Sequence, residues 1–417
     1  MSGPLAGTRG IVLTQAWAGS YCTELLGLMG ADIVQVEVRK RLDSWRGSYD
    51  TPLPPAFKDV PTAQHPWNCN ALYNSVNLNK RCITLDLQEP AGVEVFRRLL
   101  PFADFVAENF SPRVLGNLGI DYDAMRAIRP DIILCSLSAY GNTGPWANIP
   151  GIGGTIEPTS GMSALLGYAD GPPLNSGQMY PDAVAGLSGV AAILTALHHR
   201  NRTGDGQYVD LSMQEANLAF IGDAALEYAL TGRQRPRMGN RHPSFAPHGI
   251  YPCAGDNRWV AIACEEEGQW AALCAISGHD DWRTDQRFAT NTRRKEHEDA
   301  LDALIAGWTA TSGRDELAGR LSSAGIVAAP VLDALEVAAA PDLRARGLVT
   351  DVDHPEAGRW PQAASPLHFS RTPATDVRPA PCLGEHSFEV LAELLGTSRE
   401  EYDQLVASGV SGVGPPD

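Results

Sequence analysis

The chain has 417 residues, 44% of them apolar, which is enough to bury a full core and favours two domains over one. Its formal net charge of −16 disfavours non-specific binding to nucleic acid, because the phosphate backbone repels an acidic surface. The longest apolar, helix-like stretch, residues 183–197, is shorter than the roughly 20 residues that a membrane span needs. We therefore expect neither nucleic acid nor a membrane as a partner.

The N-terminal residues and the cysteines indicate a reducing compartment. Residues 1–10 lack the cationic start and long apolar run of a secretory signal, so we expect a cytoplasmic location. The eight cysteines form no Cys-x-x-Cys pair and have no histidine at zinc-binding spacing. We expect reduced thiols and no metal site.

Strand and helix patterns alternate along the first third of the chain. The apolar run at 11–14 predicts a strand, helical spacing at 21–29 ends at Gly30, and 33–37 predict a second strand. The alternation continues with a helix at 91–100, a strand at 104–109, a helix at 122–128 and a strand at 131–136. This pattern favours a doubly wound parallel sheet covered by helices.

The middle and C-terminal parts of the chain are less regular. Glycine and proline are dense over 142–171, which predicts loops at the carboxyl ends of the strands, where open α/β sheets bind ligands. A long helix is predicted at 182–199, and a strand at 208–211. The stretch 231–252 is rich in Gly, Pro and Arg and predicts a boundary, beyond which the pattern indicates a smaller mixed α/β domain.

Asp182 is the candidate catalytic residue in this pattern. It follows Pro181 at the start of the predicted long helix, where the helix dipole and free amides favour an ionised carboxylate. An ionised carboxylate in a loop-rich cleft can act as a nucleophile. The same pattern also fits an N-cap, and by itself it favours the N-cap.

Motifs for other chemistries are missing from the sequence. It contains no Gly-x-x-x-x-Gly-Lys-Ser/Thr phosphate loop, no Gly-x-Ser-x-Gly elbow and no His-Glu-x-x-His metal helix. Glu37 ends the second predicted strand, but the turn at 15–19 lacks the Gly-x-Gly-x-x-Gly run of dinucleotide enzymes. A nicotinamide-dependent dehydrogenase is therefore disfavoured.

Several short segments, each weak alone, occur in a specific order. They are Leu-Met-Gly-Ala-Asp at 28–32, Asn-Lys-Arg-Cys-Ile-Thr-Leu-Asp-Leu at 79–87, Glu-Asn-Phe-Ser-Pro at 108–112, Pro-Asp at 181–182, Thr-Gly-Asp-Gly-Gln at 203–207 and Leu-Gly-Glu-His at 383–386. In order and spacing the chain resembles the class III CoA-transferases, also called the CaiB/BaiF family, over almost its full length.

The resemblance implies an acyl-CoA:carboxylate CoA-transferase with Asp182 as its nucleophile. In the family the aspartate attacks the donor thioester to give a mixed anhydride, and the CoA thiolate then forms an aspartyl-CoA thioester. An acceptor carboxylate attacks that thioester, and a second anhydride returns the acyl group to CoA. The resemblance implies a CoA thioester as substrate and no tightly bound cofactor. Backbone amides near Gly141 and Gly239 are candidate oxyanion donors.

The resemblance also implies a CoA-binding site. The residues that fall on cofactor-lining positions of the family are Trp17, Ala18, Leu85, Asp86, Leu87, Gln88, Asn109, Phe110, Ser111 and Met213. Arg39 is the expected phosphate contact nearby.

Formyl-CoA transferase differs from this chain at some of these positions, which here are Trp17, Val38, Gln88 and Asn117. Three of these changes replace a basic residue, so phosphate binding is expected to shift to Arg39, Arg41 and Arg113. The bulky Trp17 and the lack of a four-glycine loop near Gly239 argue against formyl-CoA as substrate and favour a larger acyl group.

Two other functions are alternatives. The α-methylacyl-CoA racemases resemble the chain and carry an aspartate at the same place, but they need a histidine within Gly-His-Asp, where this chain reads Gly151-Ile152-Gly153-Gly154. Two-base proton transfer is therefore disfavoured. A non-catalytic, CoA-binding partner subunit is the other alternative, and the presence of Asp182 speaks against it.

The resemblance implies an α/β architecture with a Rossmann-like large domain and a smaller α/β domain, in a homodimer of two chains interlocked as rings. We expect residues 1–225 to form the N-terminal part of the large domain and 226–330 the small domain with its flanking linkers. Residues 331–417 would supply a linker and a C-terminal part that returns to the large domain. A hetero-oligomer with a paralogue stays an alternative.

Overall fold

The structure is a computed structural model of a single chain, and it describes residues 3–373 and 376–416. The chain forms two compact units. The first consists of Met1–Ser163, Asn175–Gly232 and Pro341–Asp417, and the second of Ala164–Leu174 and Arg233–Ala340. The domain boundaries expected from the sequence, after residues 225 and 330, stay predictions.

Helices and strands alternate through most of the described residues. The strands are β1 (Arg9–Leu13), β2 (Asp32–Glu37), β3 (Lys80–Thr84), β4 (Phe105–Glu108), β5 (Ile133–Ser138), β6 (Tyr208–Ser212), β7 (His248–Pro252), β8 (Trp259–Ala263), β9 (Val327–Pro330), β10 (Val349–His354) and β11 (Gly358–Ala363). The helices are α1 (Ala18–Leu28), α2 (Ala71–Asn74), α3 (Pro90–Leu99), α4 (Val114–Asn117), α5 (Tyr122–Ile128), α6 (Gly153–Thr159), α7 (Met162–Leu165), α8 (Tyr180–Thr203), α9 (Met213–Phe220), α10 (Gly222–Thr231), α11 (Glu267–Ser277), α12 (Asp281–Thr284), α13 (Asn291–Glu296), α14 (Glu298–Thr309), α15 (Arg314–Ser323), α16 (Ala334–Ala339), α17 (Pro341–Ala345), α18 (Ser387–Leu395) and α19 (Arg399–Ala407).

A six-stranded parallel sheet organises the first unit. Its strand order is β3-β2-β1-β4-β5-β6, the order of doubly wound Rossmann sheets. The chain builds outward from β1 to one side and then from β4 to the other, so the order reverses between these two strands. The carboxyl ends of β1 and β4 therefore flank the crevice in which such sheets bind ligands. This confirms the predicted mixed α/β fold with a large parallel sheet.

Helices cover both faces of this sheet. On one face α1 and α8 pack over a cluster that includes Val12, Leu26, Ile133 and Ile193. On the other face α3, which contributes Phe96, and the C-terminal helices α18 and α19 cover Val34 and Ile83, among others. The inner strands β1, β2, β4 and β5 are buried along almost their whole length, as parallel strands under two helical layers must be, whereas the edge strand β6 is partly exposed.

Helix α8 is long and apolar enough, by length and composition alone, to cross a membrane. In this structure it is instead a core helix of the first unit. Ala185, Ile193 and Ala196 are fully buried where it packs on α1 and the sheet. Its apolar composition is thus explained by packing within the chain.

The second unit has its own hydrophobic core. An antiparallel sheet in the order β7-β8-β9 packs with α11, α14 and α15 around Trp270, Phe288 and Leu301. Arg294 is buried in this core, where its guanidinium binds Glu267 and lies 5.0 Å from the centre of the Trp270 ring. The unit therefore has the packed interior of a small α/β domain.

Candidate active site

Asp182 is the third residue of α8, and it is not the N-cap. Met179 occupies the N-cap position with no side-chain hydrogen bond, and its φ of 48° lies in the left-handed region. The local sequence pattern favoured an N-cap role for Asp182, and this prediction was wrong, because the N-cap of the helix lies three residues earlier than the pattern indicated. The Asp182 carboxylate is left available for other contacts, and the strained Met179 backbone lies three residues before it.

Close packing of two helices brings a second backbone segment to Asp182. An added Cβ at Gly186 would lie 3.0 Å from the Ala18 carbonyl oxygen, and one at Gly189 would lie 2.9 Å from the Cys22 sulfur. Because these two positions of α8 lack side chains, α1 approaches closely, and its first residue, Ala18, donates its backbone N–H to the Asp182 carboxylate. The N-termini of both helices therefore converge on one side chain.

Burial determines the protonation of Asp182. Desolvation raises the pKa of its carboxyl group to about 6, and hydrogen bonds from the backbone N–H groups of Ala18 and Asp182 itself only partly oppose this. The helix ends do lower the pKa, as the sequence analysis expected, but burial outweighs them. The carboxylate is still mainly ionised at neutral pH, and its buried Oδ2 atom has no hydrogen-bond partner.

Gly153, the first residue of α6, covers the Oδ2 atom of Asp182. An added Cβ at Gly153 would overlap Oδ2, whereas one at the neighbouring Gly154 would meet nothing within 4 Å. Only glycine fits at position 153 with the carboxylate in its present place. The histidine that a racemase would need within the 151–154 segment is absent, and no side chain at 153 could be added without moving Asp182.

A cavity of about 360 Å³ in the first unit contains Asp182 in its wall. Five other predicted site residues line the same cavity, namely Trp17, Asn109, Phe110, Ser111 and Met213. The loops that follow β1 and β4 both contribute, so the cavity lies at the reversal point of the sheet. Its lining, as far as the structure describes the chain, includes no lysine, arginine or histidine.

Asn109 uses its side-chain amide to hold the loop after β1. Its Oδ1 accepts from the Gln15 backbone N–H at 2.7 Å, and its Nδ2 donates to the Gln15 carbonyl at 2.8 Å. Both polar ends of the amide are thus committed within the protein. The predicted contact of Asn109 with CoA stays a prediction.

The other predicted CoA contacts lie away from the Asp182 cavity wall. Leu85 and Leu87 are buried in the core, Asp86 binds Lys40 at 2.7 Å, and Gln88 is exposed. These four residues follow the end of β3, and their roles stay predictions.

The predicted phosphate-binding arginines are also outside this cavity. The Arg39 guanidinium donates to the carbonyl oxygens of Gly409, Gly414 and Pro415, with the shortest distance 3.1 Å to Gly409. Arg113 is exposed. Neither candidate oxyanion donor from the sequence lines the cavity: Gly141 lies against Ser212 and Asp210, and Gly239 belongs to the second unit.

Two residues that the sequence analysis missed belong to the same region. Trp45 lines the cavity beside Trp17, with ring centroids 5.9 Å apart. Asp43 is buried behind them and accepts the backbone N–H groups of Ala16 and Trp45. Asp43 stands among the basic residues of 39–46, and no local pattern there identified a buried carboxylate.

A family model, CoA-transferase family III, matches residues 5–387. The chain belongs to this family. Succinate–glutarate CoA-transferase of Agrobacterium fabrum is 34% identical over 94% of the chain and 96% of that protein. Succinyl-CoA–D-citramalate CoA-transferase of Chloroflexus aurantiacus is 33% identical over 98% of both. A crystal structure of a CaiB/BaiF family protein from Brucella suis is similar with a TM-score of 0.85 and 33% identity, over 94% of this chain and 100% of that one.

These similarities confirm the resemblance found in the sequence. The protein is a class III acyl-CoA:carboxylate CoA-transferase, and its substrates are therefore CoA thioesters and carboxylic acids. Across residues 3–373 and 376–416 no group of three or more His, Cys, Asp or Glu residues could hold a metal ion, and all eight cysteines are free thiols.

The contact between Gly153 and Asp182 generates a prediction. The substitution Gly153→Ala places a methyl group where Oδ2 lies, and we expect it to lower the rate of CoA transfer by about 10²-fold, because a displacement of about 1 Å in a reacting group has that effect. Gly154→Ala, the matched control on the same helix turn, should leave the rate within about twofold. Equal rates for the two variants, with both folded by circular dichroism, would contradict the geometry.

Proposed function

We propose that Asp182 carries the reaction as a covalent nucleophile. Its carboxylate attacks the donor thioester, the C–S bond breaks, and an acyl-aspartyl anhydride and CoA thiolate form. The thiolate attacks the Asp182 carbonyl carbon, which releases the donor acid and leaves an aspartyl-CoA thioester. The acceptor carboxylate displaces CoA to form a second anhydride, and CoA thiolate attacks its acceptor carbonyl, which regenerates Asp182. The observation that supports this proposal is that Asp182 lines the cavity and that its Oδ2 atom has no hydrogen-bond partner.

Backbone N–H groups are suited to stabilise the intermediates of these steps. Each attack creates a tetrahedral oxyanion, and two of the attacks occur at the Asp182 carbonyl carbon. The Ala18 N–H at the start of α1 already faces that group. A preorganised amide in a buried site stabilises developing negative charge without reorganisation. Every step exchanges one acyl bond for another, so the proposal needs no ATP and no tightly bound cofactor.

We propose a donor acyl group larger than formyl. Two of the relatives are named for succinate and glutarate, and for succinyl-CoA and D-citramalate. Trp17, Trp45 and Met179, which line the Asp182 cavity, also line a second cavity of about 600 Å³ in the same unit, which offers room beyond their side chains. Succinyl-CoA is therefore the first donor to test, with formyl-CoA as the comparison.

A prediction about the nucleophile follows. Asp182→Asn should lower the rate of CoA transfer from succinyl-CoA by about 10³-fold or more, because the amide cannot form the anhydride. With wild type, hydroxylamine added during turnover should leave an aspartyl hydroxamate at Asp182, identified by peptide mass spectrometry. Asp123→Asn, an exposed aspartate in the first turn of α5, is the matched control. Native rates for Asp182→Asn would refute the proposal.

The raised pKa of Asp182 predicts the pH dependence. The reactive form is the carboxylate, and its pKa of about 6 lies above the ordinary value of 3.8. Activity is therefore present above that pH and lost as the pH falls through about 6. We expect kcat/KM for succinyl-CoA to decrease at least tenfold per unit below that point. A profile that stays flat down to about pH 4 would show that no group with a raised pKa must be ionised.

We also propose an interlocked homodimer in the cytoplasm, on the resemblance to the family. Rings that pass through each other cannot exchange chains without unfolding. Light scattering should therefore give the mass of two chains for the purified protein, and tagged and untagged dimers mixed in native buffer should form no hybrid. Co-refolding of the two from denaturant should give hybrids. A monomer, or rapid native exchange, would contradict interlocking.

A further inference from the structure

The loop that joins β1 to α1 has a strained backbone at Ala16. The φ of Ala16 is 54°, in the left-handed region that a residue with a Cβ rarely adopts. The next residue, Trp17, occupies the N-cap position of α1, and Ala18 is the first helical residue. The conformation of Ala16 therefore sets the direction in which the Ala18 N–H points.

Asp43 holds Ala16 in this conformation. Its two carboxylate oxygens lie 3.1 and 3.0 Å from the Ala16 nitrogen and accept that N–H, and its Oδ1 also accepts the Trp45 N–H at 2.8 Å. The preceding residue of the loop, Gln15, is held by hydrogen bonds between its backbone and the Asn109 side-chain amide. Asp43 is 3% exposed and does not line the Asp182 cavity, so it acts through the backbone that it binds.

We propose that Asp43 is a positioning residue for CoA transfer: it keeps Ala16 left-handed, so that the Ala18 N–H stays directed at Asp182 and Trp17 stays against Trp45. This inference rests on the proposed role of Asp182 as nucleophile. The Ala18 N–H contacts the reacting carboxylate, and the two tryptophans form one wall of the cavity. One buried carboxylate thus controls both features.

The charge on Asp43 is part of this function. An ionised carboxylate accepts N–H groups more strongly than a neutral acid does. Burial, together with a smaller effect of the neighbouring Glu37, raises the pKa of Asp43 to about 6, although the backbone N–H groups of Trp45 and Ala16 and the charge of Arg46 partly oppose this rise. Lys80 also interacts with Asp43 electrostatically. Protonation of Asp43 would weaken its hold on Ala16 over the same pH range in which Asp182 loses its charge.

The test combines loss and rescue. Asp43→Ala should lower kcat about 10- to 100-fold with KM for succinyl-CoA changed less than threefold, whereas Asp50→Ala, an exposed aspartate seven residues on, should change neither. Adding Ala16→Gly to Asp43→Ala should restore kcat at least fivefold, because glycine adopts positive φ without a Cβ penalty. A role limited to stability would lower the folded fraction, measured by circular dichroism, and would leave kcat per folded enzyme unchanged in Asp43→Ala. Native kcat for folded Asp43→Ala, or no gain from Ala16→Gly, overturns the proposal.

A second readout covers the case in which Asp43→Ala does not fold. The pKa values of Asp43 and Asp182 are both about 6. On the acidic side, a plot of log kcat against pH should therefore have a slope above one for wild type and a slope of one for Asp43→Asn. Equal slopes overturn the role of Asp43.

Hydroxylamine trapping separates the positioning role of Asp43 from the proposed role of Asp182 as nucleophile. An Asp182 hydroxamate formed at equal rates by wild type and Asp43→Asn overturns the positioning role alone. No hydroxamate from wild type overturns the proposed function and this inference together.

Discussion

The site depends on how closely α1 approaches α8. Side chains at positions 186 and 189 would meet the Ala18 carbonyl and the Cys22 sulfur, so the approach requires glycine at both. This contact buries Asp182 and at the same time supplies it with the N–H at the start of α1. A wider separation would admit water to the carboxylate and remove that N–H, and the carboxyl group would then behave like an ordinary surface aspartate.

The balance of opposing electrostatic effects matters more than either one alone. Burial without the backbone N–H groups would raise the pKa of Asp182 further, and a protonated acid is not a nucleophile. A nearby lysine or arginine would keep it ionised, but it would also stabilise the charge and weaken the attack on a thioester. Neutral backbone amides, with no basic side chain among the cavity-lining residues that the structure describes, leave the carboxylate ionised and poorly solvated. The proposed attack on a thioester needs a carboxylate that is both ionised and poorly solvated.

Residues at positions that the resemblance assigns to the CoA site need not all contact CoA. Asn109 holds the Gln15 backbone with both ends of its amide, and Leu85 and Leu87 fill the core beside β3. Arg39 binds carbonyl oxygens near the C-terminus and so joins the start of the first unit to its end. Such residues hold the fold around Asp182 without needing to touch a ligand. Their occurrence in the sequence therefore identifies the architecture more directly than it identifies ligand contacts.

Apolar periodicity and the order of motifs were enough to predict the parallel sheet and the family. Features that depend on contacts between distant residues could not be predicted from the sequence. The parallel sheet followed from buried apolar runs, but β3 was overlooked because it begins with Lys80 and Arg81. These charges are buried because Lys80 donates to Asn77 and to the Ser20 carbonyl, and Arg81 pairs with Asp32 and Glu393. Asp182 was found through the resemblance, while its local pattern pointed to an N-cap. Asp43 reaches Ala16 across 27 residues, and Gly153 reaches Asp182 across 29, so neither contact leaves a trace in any short stretch of sequence. The environment of Asp182 is thus a property of the folded chain, assembled from segments that are distant in the sequence.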